Sequence, residues 1–179
     1  MKTWWLAIDK DHCSYLELKH RKVVAQGWCD LGSLISLKQF FPNNKNEFEQ
    51  VIQLLGDVAY QGRDWWRDRD RNSSRCPSVM WNLMDIKLGD LIVGIEGIKV
   101  MGICEMNSDG IASYRYDGEY EYAQTIGFPV QWIEWDDSIF GFTPTAPSQG
   151  VLGIKGLNDE SKAVIDAWEN YKSQSRRLQ

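Results

Sequence analysis

No apolar run in the 179-residue chain approaches the roughly 18 residues of a membrane-spanning helix, so no membrane partner is expected. Histidine is scarce. His12 and His20 are the only two, and no G-x-S-x-G, H-E-x-x-H or phosphate-cradling glycine loop accompanies them, so the reading assigns no catalytic residue and no cofactor. Cys13, Cys29, Cys76 and Cys104 are widely spaced without a C-x-x-C pair. That argues against a zinc knuckle or a dense disulfide scaffold, and the expectation is free buried thiols and no metal. Positive charge is also in deficit, with 20 Lys and Arg against 25 Asp and Glu and a net charge of -5. Such a chain does not coat nucleic acid by phosphate attraction alone, although a local basic patch remains open to it. The N-terminus, MKTWWLAIDKDHC, meets an acidic residue where a signal peptide would continue its apolar region, and a cytoplasmic location is expected.

What the chain has in plenty is indole: nine Trp stand beside seven Tyr and six Phe, more than a core of this size commonly uses. The remaining composition is ordinary for a globular protein, and the length suits one domain, read as residues 1–172 with a polar tail at 173–179. TWWLAI reads as a first strand and RKVVAQGW as a shorter second, with polar sequence between them. NKNEFEQVIQLLGD places Phe48, Val51, Ile52 and Leu55 at helical spacing, with Asn46 as N-cap, Glu49 at the capping-box position and Gly56 at the end. The charge-alternating stretch from Tyr60 to Pro77 reads as irregular or a broken helix. From Val79 onward, SVMWNLMDI, LIVGI and IKVMGICEM read as strands separated by turns, followed by a tyrosine hairpin turning at Asp117-Gly118 and a strand in FPVQWIEWDD. A last helix is expected to bury Ala163, Val164, Ala167, Trp168 and Tyr171 behind an Asn158 or Asp159 cap. The fold class is therefore α+β, with a small, mostly antiparallel curled sheet flanked by helices.

GDLIVGIEGIKVMGICEM, followed by FPVQWIEWDD and preceded much earlier by HRKVVAQGW, resembles the EVE and YTH domains of the PUA-like superfamily. The resemblance implies a pseudo-barrel with a pocket for one extruded, modified nucleobase between aromatic walls. Related domains include readers of methylated adenine, and others lead bacterial modification-dependent restriction enzymes. The implied partner is DNA or RNA carrying a modified base, and the implied wall is Trp28, with Gly27 letting the backbone turn sharply beside it.

Each candidate has a plainer reading. Trp28 either walls a pocket or plugs a barrel end. Trp4 and Trp5 point to opposite strand faces, so at most one of them lines any single pocket. Trp81 is a second wall or a half-buried sheet residue, and Trp132 and Trp135 are read as packing. Tyr114 and Tyr116, with Tyr120 and Tyr122, either pair across strands or close a cage. The base edge is given to the backbone at Gln26 and Trp28 and to the side chains of Asp30 and Asn82. Phosphates are given to Lys19, Arg21 and Lys22, and to Arg67 and Arg69 in the RDWWRDRDR strip, unless those charges pair with neighbouring acids. Two other functions stay open: an interaction module with an aromatic partner surface, and a small hydrolase acting on modified nucleotides. The sequence leaves the oligomeric state undetermined.

Overall fold

The alternation of TWWLAI fixes the centre of the molecule. In β1 (Thr3–Ile8), Trp4, Leu6 and Ile8 enter one buried cluster while Trp5 enters another, so the strand is covered on both faces. A computed structural model describes residues 1–67, 75–146, 153–158 and 160–177. After β1 come α1 (Tyr15–Arg21), β2 (Val24–Gln26), a 3-10 turn at Cys29–Leu31, α2 (Ile35–Phe40), α3 (Lys45–Ala59), α4 (Asp64–Arg67) and α5 (Cys76–Asp85). The second half holds β3 (Leu91–Glu96), β4 (Lys99–Glu105), α6 (Gly110–Ser113), β5 (Arg115–Tyr116), β6 (Gln124–Ile126), β7 (Ile133–Glu134), α7 (Asp137–Phe140), β8 (Ile154–Gly156) and α8 (Ser161–Arg177). No helix among the described residues is long and apolar enough to cross a membrane.

The architecture is α+β, with two sheets. The larger has the order β7-β4-β3-β1-β8 and the smaller β2-β6-β5. Every strand pair is antiparallel except β1 with β3, which run parallel in the register Thr3↔Leu91 to Ile8↔Glu96. The five-stranded sheet is open, with β7 and β8 as its edges. One face packs on α8 and α7 through Val164, Trp168 and Phe140; the other packs on α1, α3, α5 and the small sheet through Tyr15, Leu18, Phe48, Ile52, Met80 and Leu83. Asp90, 2% exposed, joins the first two central strands by accepting from the Lys2 backbone N–H at 2.7 Å and the Trp4 indole N–H at 3.0 Å.

Several expectations give way. SVMWNLMDI lies in α5, a helix with Pro77 in its first turn, where the missing N–H costs nothing. The polar stretch between the first two strands contains α1, capped by Ser14 accepting from the Glu17 N–H at 3.2 Å. The N-cap of α3 is Asn44, not Asn46; Gly56 lies inside that helix, and Leu55 is exposed. The tyrosine hairpin has no two-residue turn: Arg115↔Thr125 and Tyr116↔Gln124 pair, and Tyr120 and Tyr122 sit in the long connection. Only Ile133 and Glu134 of FPVQWIEWDD form a strand. In α8, Ala163 is exposed and the helix continues to Arg177, while Asp159 lies outside the described residues.

Candidate functional site

Beyond the C-terminal ends of the parallel pair β1 and β3 lies a cleft of about 1100 Å³, comparable to the larger small-molecule clefts. Its walls come from the loop after β1, the loop after β2, the end of α3, α4, the start of α5 and the β3–β4 turn. Four of the expected residues, Gln26, Gly27, Trp28 and Asp30, line it together. Trp28 is half-buried: it packs against the inner core and also forms part of the cleft surface.

The glycine beside Trp28 is not the residue that turns the chain. Trp28 itself adopts the left-handed conformation, φ 60 and ψ 51, which is rare for a bulky side chain, whereas Gly27 is not among the residues with positive φ. Such a conformation costs on the order of 1–3 kcal/mol and persists only where its surroundings fix it. Gln124 does so here. Fully buried, it donates from Nε2 to the carbonyls of Trp28 and Gly32, both at 3.1 Å, while its Oε1 accepts from the Tyr114 hydroxyl. The Tyr114 oxygen accepts in turn from the Leu34 N–H at 3.0 Å, and the Tyr116 hydroxyl donates to the Cys29 carbonyl at 2.7 Å. Tyr114 and Tyr116 therefore brace the Trp28 loop from behind and are not among the residues lining the cleft. Tyr122 does line it, with its hydroxyl accepting from the Asp9 N–H at 3.0 Å.

The second indole in the cleft is Trp65, 44% exposed and set against the Tyr60 ring at 4.9 Å. Trp81 is elsewhere, on α5, edge-on to Phe48 at 5.4 Å. The Nζ of buried Lys38 sits 2.8 Å above the Trp81 ring without a hydrogen-bond partner among the described residues. Asn82 is likewise outside the cleft, donating to the Ile154 carbonyl at 3.0 Å. Gln26 lines it, but its Nε2 is engaged by the Ala7 carbonyl at 3.3 Å, leaving the exposed Asp30 as the expected edge group with an accessible side chain. Trp132 and Trp135 pack as read, donating to the Val23 and Phe142 carbonyls at 2.9 and 3.0 Å.

Two of the five expected phosphate contacts, Lys19 and Arg21, are engaged within the fold. Lys19 pairs with Glu134 at 2.6 Å. Arg21 donates to Glu17 at 3.2 Å and to the Tyr122 carbonyl at 3.1 Å, with the Tyr120 ring 3.7 Å from its guanidinium carbon. Lys22 is exposed; Arg67 ends α4; Arg69 lies outside the described residues. Around the cleft, Asp9, Asp11, Asp30, Glu96 and Glu121 face Lys10, Lys99 and Arg75, with His12 held 2.8 Å from Glu121. This lining is mixed rather than a basic strip. Burial and the neighbouring Asp30 carboxylate push the Cys29 thiol up, away from the thiolate that a nucleophile needs.

Burial pulls Lys38 down to about 8, with Lys87 and Lys45 acting in the same direction and Asp85 opposing. An unfolded lysine titrates near 10.4, so between about pH 8 and that value the unfolded chain holds more protons. Stability is therefore expected to rise with pH across this window. Lys38→Met is expected to flatten that rise and to add about 1 kcal/mol at pH 7, the loss of the cation's contact with Trp81 offsetting part of the gain. Urea unfolding of both proteins at pH 7 and pH 10 checks both effects.

Compared with protein-family models, curated proteins and solved structures, the chain gives no match.

Proposed function

We propose that the chain is a cytoplasmic nucleic-acid-binding module whose cleft accepts one extruded, modified nucleobase, in the manner of the EVE and YTH domains it resembles. On this reading the two sheets correspond to the curled, PUA-like pseudo-barrel of those domains. The observation that carries the proposal is the meeting of two indoles, Trp28 and Trp65, at one cleft, with Trp28 held there in a backbone conformation that costs free energy. A loop built only to fill a core has no need of that conformation.

The energetics set what the cleft must supply. Extrusion of a base from a duplex costs a few kcal/mol. Each stacking contact returns about 1–3 kcal/mol, so two indoles recover roughly that cost and hydrogen bonds to the base edge provide the surplus. One methyl group adds only about 0.8 kcal/mol by burial, so discrimination between plain and modified bases rests on fit between the walls. The mixed charge of the lining favours contact with a base over contact with a run of phosphates.

The interaction-module alternative draws less support, because Trp4, Trp5, Trp66, Trp132 and Trp168 are buried and Trp65 is the indole that stands exposed. The excess of tryptophan is mostly interior. The test is a binding panel of short single-stranded and duplex oligonucleotides with and without N6-methyladenine, 5-substituted cytosines and 5-substituted uracils. A modified strand is expected to outcompete its plain counterpart, and Trp28→Ala is expected to weaken binding by about 5- to 150-fold, the loss of one stacking contact. Equal competition by every plain strand retires the modified-base reading, and unchanged binding by the variant removes Trp28 from it.

A further inference from the structure

Two cleft residues carry polar atoms that have no hydrogen-bond partner among the described residues. Tyr60, at the end of α3, is 3% exposed, and its hydroxyl has no hydrogen-bond partner; Arg75, just before α5, has an Nη1 that is buried and equally unpartnered. Both residues line the cleft with Trp28 and Trp65. The helix α3 that Tyr60 ends packs against the Cys29–Leu31 turn of the Trp28 loop. Neutral phenol is the form that burial and the Asp30 carboxylate favour, so Tyr60 stands as a donor and not as a phenolate.

Buried donors left unmade are costly, and native proteins retain them mainly where something other than the fold completes them. Tyrosine O–H and arginine N–H are both offered here. The group that complements both is an oxygen with lone pairs; an exocyclic amine could donate to the phenol oxygen but presents the wrong polarity to Arg75.

We infer that Tyr60 and Arg75 read the edge of the guest, and that the guest is a base bearing a ring oxo group, as in 6-oxopurines and uracil-type pyrimidines, rather than its amino counterpart. The inference rests on the proposal that the cleft takes a base, and deepens it. The hydroxyl is closed to water as it stands, so for the guest to reach it the exposed Trp65 indole beside the Tyr60 ring must shift while remaining a wall of the cleft. A site built to hydrogen-bond an acceptor rejects the analogue lacking it far more strongly than an apolar pocket rejects a missing methyl group.

The experiment uses the full chain and single-stranded heptamers that differ at one central base, inosine against adenine and uracil against cytosine, with affinities read by calorimetry. The oxo base is expected to bind at least tenfold tighter in each pair. Tyr60→Phe is expected to reduce that ratio several-fold while leaving the melting temperature of the unbound protein unchanged or higher, since it removes only an unsatisfied hydroxyl. Arg75→Gln is expected to reduce the ratio as well. Equal affinities, preference for the amino base, or a ratio untouched by both substitutions overturns the inference. Inorganic phosphate serves as a third arm: if it displaces the heptamers regardless of the central base, and Arg75→Gln abolishes that displacement, Arg75 holds a phosphate and the oxo assignment falls. If the heptamers bind, and Trp28→Ala weakens them without any oxo preference, only this inference fails. If no strand binds, the base-binding reading fails and takes this one with it.

Discussion

Gly56→Ala is expected to destabilise the protein by about 3 kcal/mol, against the usual direction for that exchange within a helix. Alanine in place of glycine ordinarily favours a helix by about 1 kcal/mol. Here a Cβ at position 56 would sit 2.0 Å from Cζ2 and 2.3 Å from Cη2 of Trp66, far inside contact distance. Trp66 cannot yield easily. It is 1% exposed, its ring meets that of Tyr60 at 5.0 Å, and its indole N–H donates to the Asp57 carboxylate at 2.8 Å. The added methyl must therefore evict the indole or bend α3. A loss of this size in a chain of this length lowers the melting temperature by on the order of 10 °C. Calorimetry on Gly56→Ala, beside an exposed control in the same helix such as Gln53→Ala, checks it: the control is expected to shift by less than 2 °C. Because α4 carries both Trp65 and Trp66, the substitution is also expected to disturb the cleft wall.

That glycine illustrates where the sequence could be read and where it could not. β1 and the β3–β4 hairpin were legible because short apolar runs bounded by turn residues admit few other readings. Gly56 reads as a helix end because glycine's commonest helical role is a stop; its role as a seat for Trp66 depends on contact with a separate segment, which no local rule reports. α5 failed for a related reason: VMWNLM has the valine, tryptophan and spacing of a strand, and the choice of helix rests on Pro77 in its first turn and on packing against the inner core. The parallel pairing of β1 with β3 joins residues more than eighty positions apart and leaves no mark on either strand.

For the site, the same division holds. Trp28 stood out because an indole after Gln-Gly fits no periodic segment, and it does line the cleft. Trp81 drew attention equally, yet its ring faces Lys38 and Phe48 in a different part of the fold. The actual companion, Trp65, is visible in the sequence only as one of two tryptophans in a charged strip that Arg75 closes, and Tyr60 carries no signal beyond residue type. Arg21 shows the limit of reading charge from sequence. Its basic neighbours suggest a phosphate contact, while three partners from the tyrosine connection, Asp117, Tyr120 and the Tyr122 carbonyl, hold it inside the protein.

Gln124→Glu is expected to cost about 3 kcal/mol at pH 7 and to abolish base binding with little change in the shape of residue 124. The amide Nε2 gives its two hydrogens to the Trp28 and Gly32 carbonyls, and a carboxylate gives none. It instead sets negative charge, wholly buried, against two carbonyl oxygens. The left-handed Trp28 then loses the contact that fixes it and relaxes toward ordinary φ, carrying the indole off the cleft. The effect has a pH signature. Burial and the facing carbonyls raise the folded-state pKa of the new carboxyl above the unfolded value near 4.3, so the folded protein binds more protons above that pH. The deficit relative to wild type is therefore small below about pH 4 and widens as pH rises toward the folded pKa. Even protonated, Glu offers one O–H where the amide offered two hydrogens, so a residual loss remains in acid. Denaturant unfolding from pH 4 to 8, together with oligonucleotide binding at pH 7, separates this account from simple damage to packing. A deficit that is constant with pH, or full binding by the variant, shows that Gln124 does not hold the Trp28 loop.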